Sequence, residues 1–112
     1  MPASKNSASS RRSSAVELLG VVALLAAISA TAVFWCYSRG YTLYYGDAEA
    51  HLNIARRVLD SRTPGGEQFG TVWLPLPHML MLPLAMSDKL WRSGLAGAVP
   101  SAICFVLAGA FL

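Results

Sequence analysis

Charged side chains are scarce in this sequence: Asp, Glu, Lys and Arg make up 13% of its 112 residues, whereas hydrophobic residues make up 54%. The hydrophobic residues occur in long blocks, which is typical of membrane-spanning helices and unlike a soluble domain. The net charge is only +3. Because the basic residues flank apolar blocks or alternate with acids, this charge indicates no nucleic-acid partner.

The familiar motifs of enzyme chemistry are also missing. The two cysteines, Cys36 and Cys104, lie in apolar blocks without the spacing of metal ligands, so we interpret them as small core residues and not as a disulfide or a zinc site. No nucleophile elbow, phosphate-binding loop or zinc motif is present. Any chemistry must therefore come from the polar residues between the blocks, in a chain that we expect to be all-α and to cross the membrane several times.

The first apolar block predicts a transmembrane helix over residues 15–37, with Trp35 and Tyr37 at its far end as interfacial aromatic residues. Residues 1–14 are rich in serine and basic residues, which predicts a disordered tail on the cytoplasmic side. A signal peptide cleaved after residues 30–32, Ala-Thr-Ala, is the alternative interpretation of the same block.

Residues 38–70 form the predicted extracytoplasmic loop, and an amphipathic helix is expected over residues 47–61. Apolar residues recur there at helical spacing and define one stripe, namely Ala48, Leu52, Ala55 and Leu59. Arg56 and Asp60 are four residues apart and are expected to pair. The Thr-Pro-Gly-Gly turn at residues 63–66 ends the segment. Such a helix is expected on the membrane surface or against other helices.

Two further membrane helices are predicted after this loop. Residues 71–91 form a second one that Pro83 interrupts, with irregular backbone near residues 73–78 as a candidate cavity wall. A short turn at 92–94 leads to a third helix at 95–112, whose small residues favour close helix packing. The apolar run is still open at Leu112. We therefore expect the N-terminal part of a larger protein, although a truncated reading frame would end in the same way.

Two acids at the start of the loop helix, Asp47 and Glu49, are the candidate catalytic residues. A carboxylate beside hydrocarbon is costly, which favours a functional role. The two groups converge only if Asp47 caps the helix and Glu49 lies in its first turn. They could then share a divalent cation, Mg²⁺ or Mn²⁺, or one could orient a nucleophile. The alternatives are that Asp47 is a simple helix cap and that Glu49 is a solvated acid.

Four other residues are candidates for binding substrate or a lipid phosphate: His51, Arg56, Arg57 and His78. His51 follows Asp47 by one helical turn and could face it as an acid–base partner or ligand. Arginine matches the geometry of phosphate, so Arg56 and Arg57 suit a phosphate group. The alternatives are structural histidines and arginines that contact lipid headgroups.

Three strings, two in the loop and one that runs from its end into the second predicted membrane helix, resemble the start of membrane-integral GT-C glycosyltransferases, in particular bacterial members similar to protein O-mannosyltransferases. The strings are YYGDAEAH from residue 44, DSRTPG from residue 60 and GTVWLPLPH from residue 70. The resemblance covers roughly residues 15–83.

The resemblance implies a polytopic GT-C fold in the bacterial inner membrane and the transfer of a mannose-like sugar from a polyprenyl-phosphate donor to a protein or glycan acceptor. Asp47 matches the active-site acid of the first extracytoplasmic loop. The family often has an adjacent Asp-Glu pair, whereas Ala48 separates the two acids here. That spacing is closer to related oligosaccharyl transferases, in which the acid helps to bind a metal.

The predicted function is thus the N-terminal part of a glycosyltransferase that is inactive alone. The alternative is a small non-enzymatic membrane protein that acts through helix packing.

Overall fold

The computed structural model describes residues 5–69 and 73–112, with side chains from residue 14 onward in the first range. Regular structure in these residues is entirely helical, which confirms the all-α class for this part of the chain. The elements in order are α1 (Lys5–Ser38), α2 (Gly46–Arg57), a 3₁₀ turn (Gly66–Phe69), α3 (Pro75–Ala85), α4 (Asp88–Arg92) and α5 (Leu95–Phe111).

Helix α1 contains the one segment among the described residues that is long and apolar enough to cross a membrane, the 25 residues Ser14–Ser38. At about 1.5 Å per residue such a helix exceeds the roughly 30 Å of a bilayer core. Only 6% of its most apolar window is buried within the chain. A membrane helix and a signal sequence would both have this property, and the three-helix membrane topology stays a prediction.

The start of α1 differs from the predicted disordered tail. Residues 5–14 continue the helix, so that prediction is wrong for them, while residues 1–4 lie outside the described part. Extending an existing helix is much easier than starting one, because the nucleation cost has already been met. The segment also contains lysine, arginine and alanine, which are good helix formers.

Helix α5 packs antiparallel against α1. The Ser29 hydroxyl of α1 donates to the Ala102 carbonyl of α5 over 3.4 Å, and Leu25, one turn earlier in α1, meets Gly109, later in α5. A Cβ atom added at Gly109 would collide with the Leu25 side chain. The small residue therefore permits this close approach, as the composition of the segment predicts.

Helix α2 ends at Arg57, so the predicted helix over 47–61 is too long. The chain turns after Val58, whose carbonyl accepts a hydrogen bond of 3.0 Å from the Gly65 amide. The predicted apolar stripe holds for Leu52 and Ala55, which are buried. It is wrong for Leu59, which lies beyond the helix and is 39% exposed.

The prediction of a single helix over 71–91, interrupted by Pro83, is also wrong for the described residues 73–91, which contain two short helices, α3 and α4. The location of this segment in a membrane stays a prediction. Residues 71 and 72 lie outside the described part. The break falls at Met86–Ser87, where Ser87 has extended backbone and precedes the charged start of α4. With 11 residues, α3 is too short to cross a bilayer, which takes about 20. The predicted turn at residues 92–94 is confirmed for Ser93 and Gly94, which lie between α4 and α5. Arg92 is instead the last residue of α4.

The small core lies where α2 packs against α3 and α5. Its buried members are Leu52, Ala55, Ala85 and Ala96, and the partly buried residues around them are Leu43, Met81, Leu84, Leu90 and Trp91. Three of the four buried residues are alanines, so the helices approach one another closely. This packing holds the first turns of α2 beside α5.

Candidate functional site

Asp47 lies inside the first turn of α2 and does not cap the helix. The N-cap residue is Tyr45, which has extended backbone and no side-chain capping bond, so the capping alternative for Asp47 is wrong. Both Asp47 and Glu49 are exposed in the first turn, where the helix dipole favours acids. Because both residues are helical and two apart, their side chains point in different directions.

A pocket of about 310 Å³ opens between α2, α3 and α5, next to the loop that follows α1. Its polar lining consists of Thr42, Tyr45, Asp47, His51 and Ser101. Asp47 and His51, one helical turn apart, therefore face the same space, as their spacing predicts. Glu49, Arg56 and Arg57 do not line this pocket.

The Thr42 and Ser101 hydroxyls of the pocket are already engaged with the backbone. Thr42 Oγ1 donates to the Ser93 carbonyl over 2.7 Å, and Ser101 Oγ donates to the Gly97 carbonyl over 2.9 Å. The hydroxyl protons of these two residues are thus used within the fold. Asp47, His51 and Tyr45 are the other polar residues of the pocket.

His51 forms a pair with His78, the other histidine of the chain. Nδ1 of His51 and Nε2 of His78 are 2.8 Å apart, so one nitrogen donates and the other accepts. Trp73 meets the His51 ring edge-on with centroids 4.8 Å apart, and Phe69 stacks on His78 at 6.5 Å. An aromatic ring thus lies next to each of the two histidines.

His78 is completely buried, with no exposed side-chain surface. This burial lowers the pKa of His78 below its ordinary value of 6.5, and the neighbouring His51 lowers it further, while the Leu74 backbone acts in the opposite direction. Nδ1 of His78 has no hydrogen bond of normal geometry to any described residue. The neutral form of His78 is thus favoured in the folded protein.

Arg56 joins α2 to the break between α3 and α4. Its guanidinium donates to the Ala85 carbonyl over 2.7 Å and bonds the Asp88 carboxylate. It also lies 5.1 Å from the Trp91 ring centre. The predicted pair with Asp60 is confirmed at 3.7 Å.

The two predicted phosphate ligands thus differ in their surroundings. Arg56 uses Nη1 and Nη2 within the fold, where they bond carbonyls at the end of α3 and the Asp88 carboxylate. Arg57 is exposed. The structure therefore leaves Arg57 more accessible to an external anion than Arg56.

The carboxylates at this site do not by themselves form a divalent-cation site. Among the described residues there is no group of three or more His, Cys, Asp or Glu side chains placed to hold a metal ion. Mg²⁺ and Mn²⁺ favour several oxygen ligands, and Asp47 is the one carboxylate that lines the pocket. Glu49 does not join it there, so the predicted shared cation has no second acid ligand in the described residues.

Sequence reasoning missed the contact between the two histidines and the contribution of Thr42, Tyr45 and Ser101 to the pocket. His51 and His78 are 27 residues apart and lie in different helices, so no local spacing reveals their pairing. Ser101 comes from an apolar helix in which a serine fits the small-residue pattern. The pocket itself could be found only from the packing of α5 against α2.

No family model matches this chain, and neither the curated proteins nor the solved structures include a significant match.

Proposed function

We propose that the chain is the N-terminal part of a membrane glycosyltransferase that transfers a mannose-like sugar from a polyprenyl-phosphate donor to a protein or glycan acceptor. The observation that carries the proposal is the position of Asp47, which lines a pocket just after the end of the candidate membrane helix α1. A lipid-linked donor presents its reactive carbon at this level. The sequence resemblance to GT-C enzymes assigns the catalytic acid to the same residue.

The size of the pocket supports a small ligand. Its volume of about 310 Å³ is at the lower end of the range for small-molecule sites, which is roughly 300–1,000 Å³. A sugar unit or an acceptor side chain enters such a space, while the polyprenyl tail stays in the membrane. In this proposal Asp47 binds the acceptor hydroxyl, as general base or as the group that orients it.

Cationic groups near the donor would stabilise the leaving lipid phosphate. Arg57 is the better candidate in this chain, since Arg56 is engaged with α3 and α4. Other phosphate ligands belong to the rest of the proposed enzyme. No step of the proposal needs a metal ion.

The test is sugar transfer in membranes that contain the full-length protein, with polyprenyl-phosphate mannose as donor. We expect Asp47→Asn to lower the rate by about 10²–10⁴-fold, the usual contribution of a general base. The matched control is Glu67→Gln, which changes an exposed acid outside the pocket and should leave transfer unchanged. Equal abundance of the proteins is checked by immunoblotting. Absence of transfer by the wild type, or full activity of Asp47→Asn, would contradict the proposal.

The second candidate is a non-enzymatic membrane subunit, and one observation favours it. An open groove of about 610 Å³ runs along α1 and α5 and has an almost entirely apolar lining, including Ala26, Val33, Ala102 and Val106. A further transmembrane helix would fit such a surface of small and branched residues. A wild-type protein that transfers no sugar but co-purifies with another membrane protein in stoichiometric amounts would support this candidate.

A further inference from the structure

We propose that helix α3 lies within one leaflet of the membrane, with its outward face against lipid hydrocarbon and its inward face against α2. The leaflet is the one at which α1 ends. This inference goes beyond the proposed function and rests on the predicted membrane crossing of α1. In place of the predicted second crossing over residues 71–91, it describes a helix that enters the membrane without crossing it.

The outward face of α3 consists of large apolar side chains that remain exposed. They recur at helical spacing and are Leu76, Met79, Leu80 and Pro83. The exposed fractions of the first three lie between 45% and 62%. His78 points to the opposite side, where it meets His51 of α2 and is completely buried. An exposed apolar patch of this kind marks a contact with a membrane or with another protein.

The charges of this part of the chain lie on the neighbouring helices. Residues 70–87 contain no Asp, Glu, Lys or Arg. By contrast, α2 and α4 expose both acidic and basic side chains, among them Glu49, Arg57, Asp88 and Lys89. A helix with a face in water normally carries polar or charged residues on that face. This distribution favours water beside α2 and α4, and lipid beside the outward face of α3.

The contacts of α5 place α3 deeper than α2. The start of α5 lies near the end of α1, because Leu95 and Tyr37 line one groove. Helix α2 shares a pocket with Gly97, whereas α3 lines a groove of about 380 Å³ with Pro100 and Cys104. At 1.5 Å per residue, these two residues lie roughly 8 and 14 Å beyond the start of α5. This depth is within the hydrocarbon of one leaflet, which is about 15 Å thick.

The ends of α3 leave few backbone groups without a partner, as a hydrocarbon environment requires. Pro75 and Pro77 are the first and third residues of the helix, so two of the amide groups that lack a partner at a helix start are absent. At the other end, Arg56 donates to the Ala85 carbonyl over 2.7 Å and to the Met86 carbonyl over 3.4 Å. The cost of placing this short helix beside lipid is thereby reduced.

The test is site-directed spin labelling of the full-length protein in liposomes of phosphatidylethanolamine and phosphatidylglycerol. The native cysteines, including Cys36 and Cys104, are replaced by alanine, and a nitroxide is attached to Met79→Cys. Because Met79 is exposed, the label disturbs no core packing. Electron paramagnetic resonance then compares collisions with oxygen, which concentrates in hydrocarbon, and with a nickel chelate, which stays in water. We expect collisions with oxygen to exceed those with nickel several-fold.

Two reference positions calibrate this measurement. Ile28→Cys, near the middle of the Ser14–Ser38 segment, should give the result for hydrocarbon. Glu67→Cys, in the exposed part of the 3₁₀ turn, should give the opposite result. A label at residue 28 that collides mainly with nickel would show that α1 is not in the membrane, and the inference would fall with it.

Two results at Met79 would also overturn the inference. Collisions mainly with nickel would place the outward face of α3 in water. A label shielded from both reagents would show that another protein segment covers this face in place of lipid.

The result at Met79 is independent of the proposed function. A protein that transfers no sugar but gives the expected collisions would contradict the glycosyltransferase and support the position of α3. A protein that transfers sugar while Met79 is in water would contradict only this inference.

Discussion

The α1–α5 pair and the group formed by α2, α3 and α4 are held together by different kinds of contact. The groove between α1 and α5 has a mainly apolar lining, and Ser29 adds a long hydrogen bond between the two helices. In the α2–α4 group, Arg56 bonds two carbonyls and a carboxylate, and two histidines bond each other. Among the residues that the structure describes, the α2–α4 group is thus joined by polar side-chain contacts between different helices.

This difference has a physical cause. If α1 and α5 both lie in a membrane, as predicted, the pair needs only close packing, because lipid covers the remaining surface. Short helices with polar termini must satisfy exposed backbone groups, and side chains such as Arg56 do so. We therefore expect substitutions to have larger effects in the α2–α4 group, and at its junction with α5, than within the α1–α5 pair.

The largest effect is expected for Gly94→Ala, at the junction between the two regions. Gly94 has a φ of +76°, and a Cβ atom there would lie 2.8 Å from Cβ of Thr42. Left-handed backbone costs about 1–2 kcal/mol for alanine, and overpacking costs about 1–3 kcal/mol more. The free energy of unfolding, measured by denaturant titration in detergent micelles, should fall by roughly the combined amount.

Gly40→Ala is the matched control for Gly94→Ala. Gly40 has a similar φ of +71° but open space around its Cβ position. It should lose only the backbone contribution, about 1–2 kcal/mol. Equal losses at the two glycines would show that Thr42 does not pack closely against Gly94.

An intermediate effect is expected for Arg56→Met. The variant keeps an unbranched side chain but loses the bonds to the Ala85 carbonyl and to Asp88. Leaving such groups without a partner costs about 1–3 kcal/mol. Thermal unfolding followed by circular dichroism measures the loss. Arg57→Met, in the neighbouring exposed position, should change stability by less than about 0.5 kcal/mol, and a comparable loss there would contradict the special role of Arg56.

The smallest effect is expected for Ser29→Ala, within the α1–α5 pair. Its hydrogen bond to the Ala102 carbonyl is long at 3.4 Å, and bonds between membrane helices average about 0.6 kcal/mol. Unfolding in mixed micelles of increasing SDS content is sensitive enough to detect this change. Thr31→Ala, which loses only a bond within α1 to the Ala27 carbonyl, should not weaken the pair. A loss of several kcal/mol in Ser29→Ala would mean that polar contacts matter equally in both regions.

Local patterns in the sequence determined the helical class, the long apolar helix, the burial of Leu52 and Ala55, and the pairing of Arg56 with Asp60. Each depends on residues three or four apart or on one continuous run. The same patterns predicted the wrong helix boundaries at two places, where a neighbouring helix or a more distant contact decides the backbone conformation. Residues 5–14 are helical because they extend an existing helix, and α2 ends early because Gly65 bonds back to Val58.

The sequence by itself also indicated Asp47 as the candidate acid and His51 as its neighbour, since one helical turn separates them. Only the tertiary structure decided that His51 meets His78 and that Arg56 is used within the fold. It also placed Ser101 in the pocket beside Asp47. These contacts join residues on different helices, and their geometry depends on how closely α2, α3 and α5 pack, which no periodicity within one segment encodes.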